Sequence, residues 1–175
     1  MSIALPPPDA PAPPDGNYAD MINQMESRSF SGFLGLHFLR ATATLVEAEL
    51  VIREVHHQPY GVVHGGVYAS IIETLSSVGA GISAFAYKKT VLGLENHTSF
   101  LRATRSGTLH AKATPLSHGR RSQVWETAIH DDAGKLVATG RVRMLLLEPE
   151  AQVAGTTLSF KSAPPTTPNS TGSDS

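Results

Sequence analysis

The stretch from Gly65 to Tyr87 constrains this chain more than any other. "GGVYASIIETLSSVGAGISAFAY" has no proline, consists mostly of Gly, Ala, Ser, Ile, Leu and Val, and carries one charged residue, Glu73. It follows the turn "HGG" at 64–66 and is long enough for about six helical turns. A helix with so few charges must be covered on most sides. Its length and apolarity also match a membrane span, but the Ser-rich middle and Glu73 argue against one, so no membrane partner is expected.

The flanking segments supply the cover. "LGLHFLRATATLVEAELVIRE" (34–54) alternates Val46, Ala48, Leu50 and Ile52 with Glu47 and Glu49, as a half-buried strand does. Segments 90–103, 107–117, 122–131 and 134–148 have strand-like content, and "TRSG", "HGRR" and "DDAG" between them are turn chemistry. "NYADMINQMESR" (17–28) places Tyr18, Met21, Ile22 and Met25 at helical spacing, with Asn17 as a cap. The expectation is an α+β fold: a short helix, a strand, the long helix, then four strands, with five antiparallel strands wrapped around the long helix.

Composition narrows the function. With 41% hydrophobic and 17% charged residues, one domain over 17–160 is the default. Residues 1–16 and 161–175, rich in Pro, Ser and Thr, lack the apolar content to offset ordering entropy and are expected to be disordered arms. No secretory pattern opens the chain, so a cytoplasmic location is the default. A net charge of −1, with no basic cluster beyond "GRR" at 119–121, gives no footprint for nucleic acid. There is no cysteine, which excludes a thiol nucleophile, a disulfide frame and a Cys-ligated metal.

Glu73 is either a solvated residue on a sparsely covered face or a buried carboxylate that is paired, hydrogen-bonded or used. No Lys or Arg stands one helical turn away to support the first. Ser77 and Gly81 follow at i+4 and i+8 on the same face, and Ser77 has the alternative of bonding back to the Glu73 carbonyl. At the other end of the helix, free N–H groups after "HGG" suit a developing oxyanion, and Gly65 and Gly66 admit close approach. Gly65 and Glu73 lie about 12 Å apart along one helix. One carbonyl cannot touch both, so joint action requires two subunits with adjacent antiparallel helices, and a site at a two-fold interface.

Gln58, His56 and His57 precede the turn and could reach the same place. His56, His57 and His64 match no standard zinc spacing, so no metal is expected. His64 serves equally well to hold the loop. Arg120, Arg121 and Ser122 gather at a turn and Arg102 ends a strand; such residues suit phosphates, with solvated surface charge as the plain alternative.

"GVVHGGVYASIIETL", followed by "ENHTSFLRATRSGTLHAKATPLSHGRRSQVWETAIHDDAGKLVATGRVRM", resembles the hotdog-fold acyl-CoA thioesterases with an acidic residue on the central helix. The resemblance covers roughly 34–148 and is nearest to the helical-Glu type of 4-hydroxybenzoyl-CoA thioesterase, which acts in 4-chlorobenzoate breakdown. It implies that Glu73 attacks or activates water at the thioester carbonyl, while the Gly65 N–H of the partner subunit polarises it. It places Gln58 beside that carbonyl, has His64 orient the loop, and puts the Ser77 hydroxyl near Glu73, where the family's usual Thr carries one more methyl. Arg102, Arg120, Arg121 and Ser122 are implied for coenzyme A phosphates, and Gly81, Lys89 and Thr90 for the acyl and pantetheine channel. The implied assembly is a hotdog dimer with a continuous sheet, paired into a homotetramer. Coenzyme A enters as part of the substrate, and no separate cofactor is expected.

Two other readings share the fold. A 3-hydroxyacyl thioester dehydratase resembles a different turn, with Pro-Gly after the His loop. A non-enzymatic acyl-CoA sensor requires a further DNA-binding helix pair.

Overall fold

A computed structural model describes residue 13 and residues 15–157 of the chain. Most of the amino-terminal arm and all of the carboxyl-terminal one lie outside the described residues. Two short helices come first, α1 (Ala19–Glu26) and α2 (Phe30–Leu34), then strands β1 (Leu36–Ala41) and β2 (Val46–Val51). After a single 3-10 turn comes the long helix α3 (Gly65–Phe85). Strands β3 (Thr90–Phe100), β4 (Thr108–His118), β5 (Ser122–His130) and β6 (Leu136–Leu147) complete the main sheet, and a small hairpin at 152–157 follows.

The sheet is antiparallel in the order β1-β2-β4-β5-β6-β3 and curls around α3. Alternation works as expected: β5 buries Gln123, Trp125, Thr127 and Ile129 and turns the intervening residues outward. Ile71, Ile72 and Leu75 of α3 pack among Phe38, Leu50, Leu109, Trp125, Val142 and Met144 from the strands. α3 meets the length and composition of a membrane span, yet 61% of its apolar window is buried inside this fold. Its hydrophobicity is that of a core helix.

One segment departs from expectation. Residues 34–54 are two strands, so the sheet has six where five were expected. The bend lies at Thr42, whose hydroxyl accepts the Leu45 N–H (3.0 Å) and lies within 3.0 Å of the Leu45 carbonyl, while Thr42 N–H donates to that carbonyl at 2.9 Å. A turn closed by a threonine hydroxyl needs no Gly or Pro, so the β-branched pattern runs through it unbroken.

The first helix starts two residues later than its pattern, with Tyr18 at the N-cap position in place of the expected Asn17, which stands one residue before it. Asn17 Oδ1 accepts from Ala19 N–H (3.1 Å) and Ala41 N–H (2.9 Å), tying the helix entry to β1. α2 is capped at both ends by Ser29, which accepts from Ser31 and Gly32 N–H, and by Gly35 at φ +81°.

β3 is an edge strand bonded only to β6, and the exposed apolar residues Leu92, Leu94, Phe100 and Leu101 lie on it or just past its end. An unpaired, apolar edge of this kind is a template for another strand.

Candidate functional site

His64 caps the start of α3. Its Nδ1 accepts the Gly66 N–H (2.9 Å) and its carbonyl accepts the Val67 N–H (2.9 Å). The neutral ring therefore carries its hydrogen on Nε2, directed away from the helix. Gly65 N–H has no acceptor among the described residues and stands at the positive end of a 21-residue helix. The loop before it is fastened by Val63 N–H to the Thr104 carbonyl (2.9 Å), His64 N–H to the His56 carbonyl (2.8 Å) and Gln58 N–H to the Val62 carbonyl (2.9 Å).

Gln58, His64, Gly65, Tyr68, Phe100 and Arg102 line one cavity of about 530 Å³. Four residues named from the sequence thus come together within a single chain. The other two histidines point elsewhere. His57 Nε2 donates to the Arg105 carbonyl (2.7 Å), and His56 is buried, accepting Arg53 N–H at Nδ1 (3.0 Å) and donating Nε2–H to the Leu34 carbonyl (2.8 Å). The three imidazoles therefore do not converge on one point, and no metal-binding cluster is found among the described residues.

Burial, helped by the nearby Arg53 charge, holds the His56 pKa below its ordinary value, although the Leu34 hydrogen bond opposes this. The unfolded chain then binds a proton there more readily than the folded one, so stability falls as pH drops through the ordinary histidine range. The urea midpoint of the wild type is expected to fall more steeply from about pH 7 to about pH 5 than that of His56→Gln. Equal slopes would remove His56 as the cause.

Glu73 lies two turns further along α3, away from that cavity. Its Oε2 accepts from Asn96 Nδ2 (2.9 Å), and the same amide donates to the Ala69 carbonyl (3.1 Å). Its Oε1 occupies the space that a side chain at Gly93 would take, for a Cβ there would sit 2.5 Å from it. Asn96 and Gly93, both on β3, are site residues that the sequence reading missed. Their signal was a glycine and an amide in a strand otherwise rich in apolar and β-branched residues, and only the pairing of β3 with α3 connects it to Glu73.

Ser77 Oγ makes no hydrogen bond to a described residue, so it does not bond back to the Glu73 carbonyl and stays available one turn on. Ser70 does bond back, to the Gly66 carbonyl (2.7 Å). Gly81 extends the stripe with open space, for a methyl added there would meet only Val91, at 3.8 Å.

The remaining named residues cluster at the far end of α3. Lys89 is mostly buried, pairs with Glu148 (2.7 Å) and donates to the Arg120 carbonyl (3.2 Å). Thr90 pairs with Leu147 and Ser122 with Leu145 in the sheet, while Arg120 and Arg121 project from an exposed turn. One chain therefore does not bring this turn to Gly65.

Gly65 contacts Phe100, and Glu73 contacts Asn96, four residues earlier on β3. That is about 13 Å of strand. A polarising N–H and a carboxylate are both present, and no single small carbonyl reaches both within one chain.

A family model described as thioesterase superfamily matches residues 60–138. The proofreading thioesterase EntH of Klebsiella pneumoniae is 33% identical over 126 residues, 72% of this chain and 91% of its own. The 1,4-dihydroxy-2-naphthoyl-CoA hydrolase of Escherichia coli is 30% identical over 128 residues, 73% of this chain and 93% of its own. A solved structure of a candidate esterase from Mycobacterium tuberculosis is similar at TM-score 0.68 and 38% identity, over 70% of this chain and 98% of that one.

Proposed function

The chain belongs to the thioesterase superfamily with its hotdog fold, and from that premise we propose that it hydrolyses acyl-CoA thioesters at a site shared by two subunits. The observation that carries the reading is the split on α3. The Gly65 N–H without an internal acceptor is at one point and the Asn96-held Glu73 carboxylate is two turns away. Pairing the open β3 edges of two chains sets their α3 helices side by side and antiparallel, so that Gly65 of one faces Glu73 of the other.

In that site the partner's Gly65 N–H bonds to the thioester carbonyl and is strengthened by the helix dipole as negative charge develops on the oxygen. Glu73 acts on the opposite side, either taking a proton from the attacking water or attacking the carbonyl itself to form an anhydride that water then hydrolyses. In both cases the C–S bond breaks and coenzyme A leaves as the thiolate, which takes up a proton from water or from the protonated Glu73. Gln58 and His64 Nε2–H supply further donors in the Gly65 cavity. The resemblance implies a tetramer of two such dimers, which sedimentation would test.

For the acyl group we carry forward an aromatic acid, 4-hydroxybenzoyl in the first instance. Support comes from the aromatic lining of the Gly65 cavity by Tyr68 and Phe100. The 1,4-dihydroxy-2-naphthoyl-CoA hydrolase relative gives a second aromatic thioester to assay beside it. None of the relatives described above is named for 4-hydroxybenzoyl-CoA, so the assay compares both with an aliphatic thioester.

The deciding experiment is complementation. Gly65→Pro deletes one N–H at the first helical position, where proline fits and where His64 already has the extended backbone (ψ 137°) that precedes it. The exposed Phe100 ring has room to yield to the added ring. Gly65→Pro and Glu73→Gln are each expected to be nearly inactive alone. Mixed by co-expression, half the dimers are mixed and one of their two sites regains both intact groups, so activity returns to about a quarter of wild type. No recovery in a mixture shown to contain mixed dimers would sink the shared site.

A further inference from the structure

We infer that Gly93, together with the β-bulge beside it, is a positioning residue for the Glu73 carboxylate and singles out Oε1 as its reacting oxygen. The inference rests on the thioesterase reading above for the reaction itself. The two carboxylate oxygens have different surroundings. Oε2 accepts the Asn96 amide (2.9 Å), and that amide is anchored in turn on the Ala69 carbonyl (3.1 Å). Oε1 has no hydrogen-bond donor among the described residues and lies in the space left by the missing side chain of Gly93. A hydrogen bond to the charged form lowers the basicity of the oxygen that accepts it, so Oε1 is the stronger base and nucleophile of the two.

Gly93 and Asn96 stand three positions apart, and a regular strand would turn them to opposite faces. The bulge removes that conflict. Gly93 pairs with Met144 and Glu95 with Arg143, so Leu94 is an extra residue set between consecutive positions of β6. Met144 and Val142, the partners of Gly93 and Asn96, are buried, whereas Arg143, the partner of Glu95, is exposed. Gly93 and Asn96 therefore both face α3, and Glu95 turns outward. One extra residue on β3 thus brings the amide and the empty space to the same carboxylate.

The backbone does not require a glycine at this position. Gly93 has no left-handed φ, unlike Gly61, Gly107 and Gly134, so alanine fits its main chain. A glycine inside a strand gives up side-chain packing and marks a place that another group approaches closely. Here the group is Oε1, since a Cβ on Gly93 would stand 2.5 Å from it and 3.6 Å from the carboxyl carbon. The slot holds the oxygen by shape, while Asn96 holds the other by a hydrogen bond.

A double-substitution cycle on the full chain tests this. Gly93→Ala pushes a methyl into the slot, and kcat for an aryl-CoA thioester is expected to fall about a hundredfold, the scale set by misplacing a reacting group by about 1 Å, with KM within about twofold of wild type. Glu73→Asp shortens the side chain by one methylene and leaves the slot empty, so in that background the same methyl is expected to cost less than about twofold. A merely structural role of Gly93 predicts equal losses in both backgrounds. The urea midpoint adds a readout without turnover: Gly93→Ala is expected to lower it in the wild type and not in Glu73→Ala. A Gly93→Ala protein that keeps kcat within about threefold of wild type, or a midpoint lowered equally with and without Glu73, overturns the assignment. A larger loss of kcat in Asn96→Ala than in Gly93→Ala makes Oε2 the reacting oxygen and overturns it too. A wild type that cleaves no thioester but shows coupled midpoints keeps the slot and sinks the thioesterase reading instead.

Discussion

Glu73→Gln is expected to lower kcat for an aryl-CoA thioester by about a thousandfold, in the range that removal of a general base or nucleophile produces. The substitution conserves shape, and a glutamine oxygen can still accept the Asn96 amide that holds Glu73 Oε2 at 2.9 Å. What disappears is the negative charge and basicity, so binding of the substrate should change far less than turnover. Asn96→Ala tests the support rather than the reacting group. It frees the carboxylate to rotate, and about a tenfold loss of kcat is expected from misplacement of the reacting group. Release of coenzyme A, followed with a thiol reagent, reads both. A Glu73→Gln protein that keeps more than about a tenth of wild-type kcat would exclude Glu73 from the reaction, because such a residue cannot supply the usual contribution.

Trp125→Ala is expected to cost about 4 kcal/mol, the middle of the range for a large aromatic removed from a core. Against a typical total of about 5–15 kcal/mol, that leaves a marginal protein. Trp125 is fully buried on β5, with its ring against the backbone of α3 at Gly79. The indole also begins a polar chain. Its Nε1–H donates to Gln123 Oε1 (2.9 Å), Gln123 Nε2 donates to Ser83 Oγ (2.6 Å), and Ser83 meets His118 Nε2 (2.6 Å). Truncation therefore opens a cavity and orphans the buried Gln123 oxygen, which adds to the loss. Urea unfolding would measure it, and a loss below about 1 kcal/mol would mean that the site collapses to fill the space. Gly79 is the reciprocal test. A methyl there would overlap the indole, so Gly79→Ala should destabilise even though alanine is the better helix former by about 1 kcal/mol.

Much of the site was legible because its chemistry is unusual for its place. A lone carboxylate in a long apolar helix, and His-Gly-Gly at the head of that helix, are visible in one dimension. Their 12 Å separation on one rod follows from helical rise alone, at about 1.5 Å per residue. Asn96 and Gly93 were not legible, because a polar residue in a strand gains meaning only when register sets it opposite a particular turn of helix. The ion pair of Lys89 was hidden for the same reason, since its partner Glu148 is 59 positions away in the chain. Thr42 hid a turn inside an alternating segment, because its hydroxyl closes the loop without the usual breakers.

Periodicity and composition alone determined that α3 is central, that antiparallel strands must cover it, and that Gly65 and Glu73 cannot serve one carbonyl from one chain. These are consequences of short-range geometry and of the cost of exposing apolar surface. Only the tertiary structure decided that β1 and β2 are separate strands, that Asn96 holds the carboxylate, and that Gln58, His64, Gly65 and Arg102 share one cavity while Arg120 and Arg121 stand apart from it. Those facts depend on contacts between residues distant in sequence, which strand order and register bring together and which no local pattern encodes.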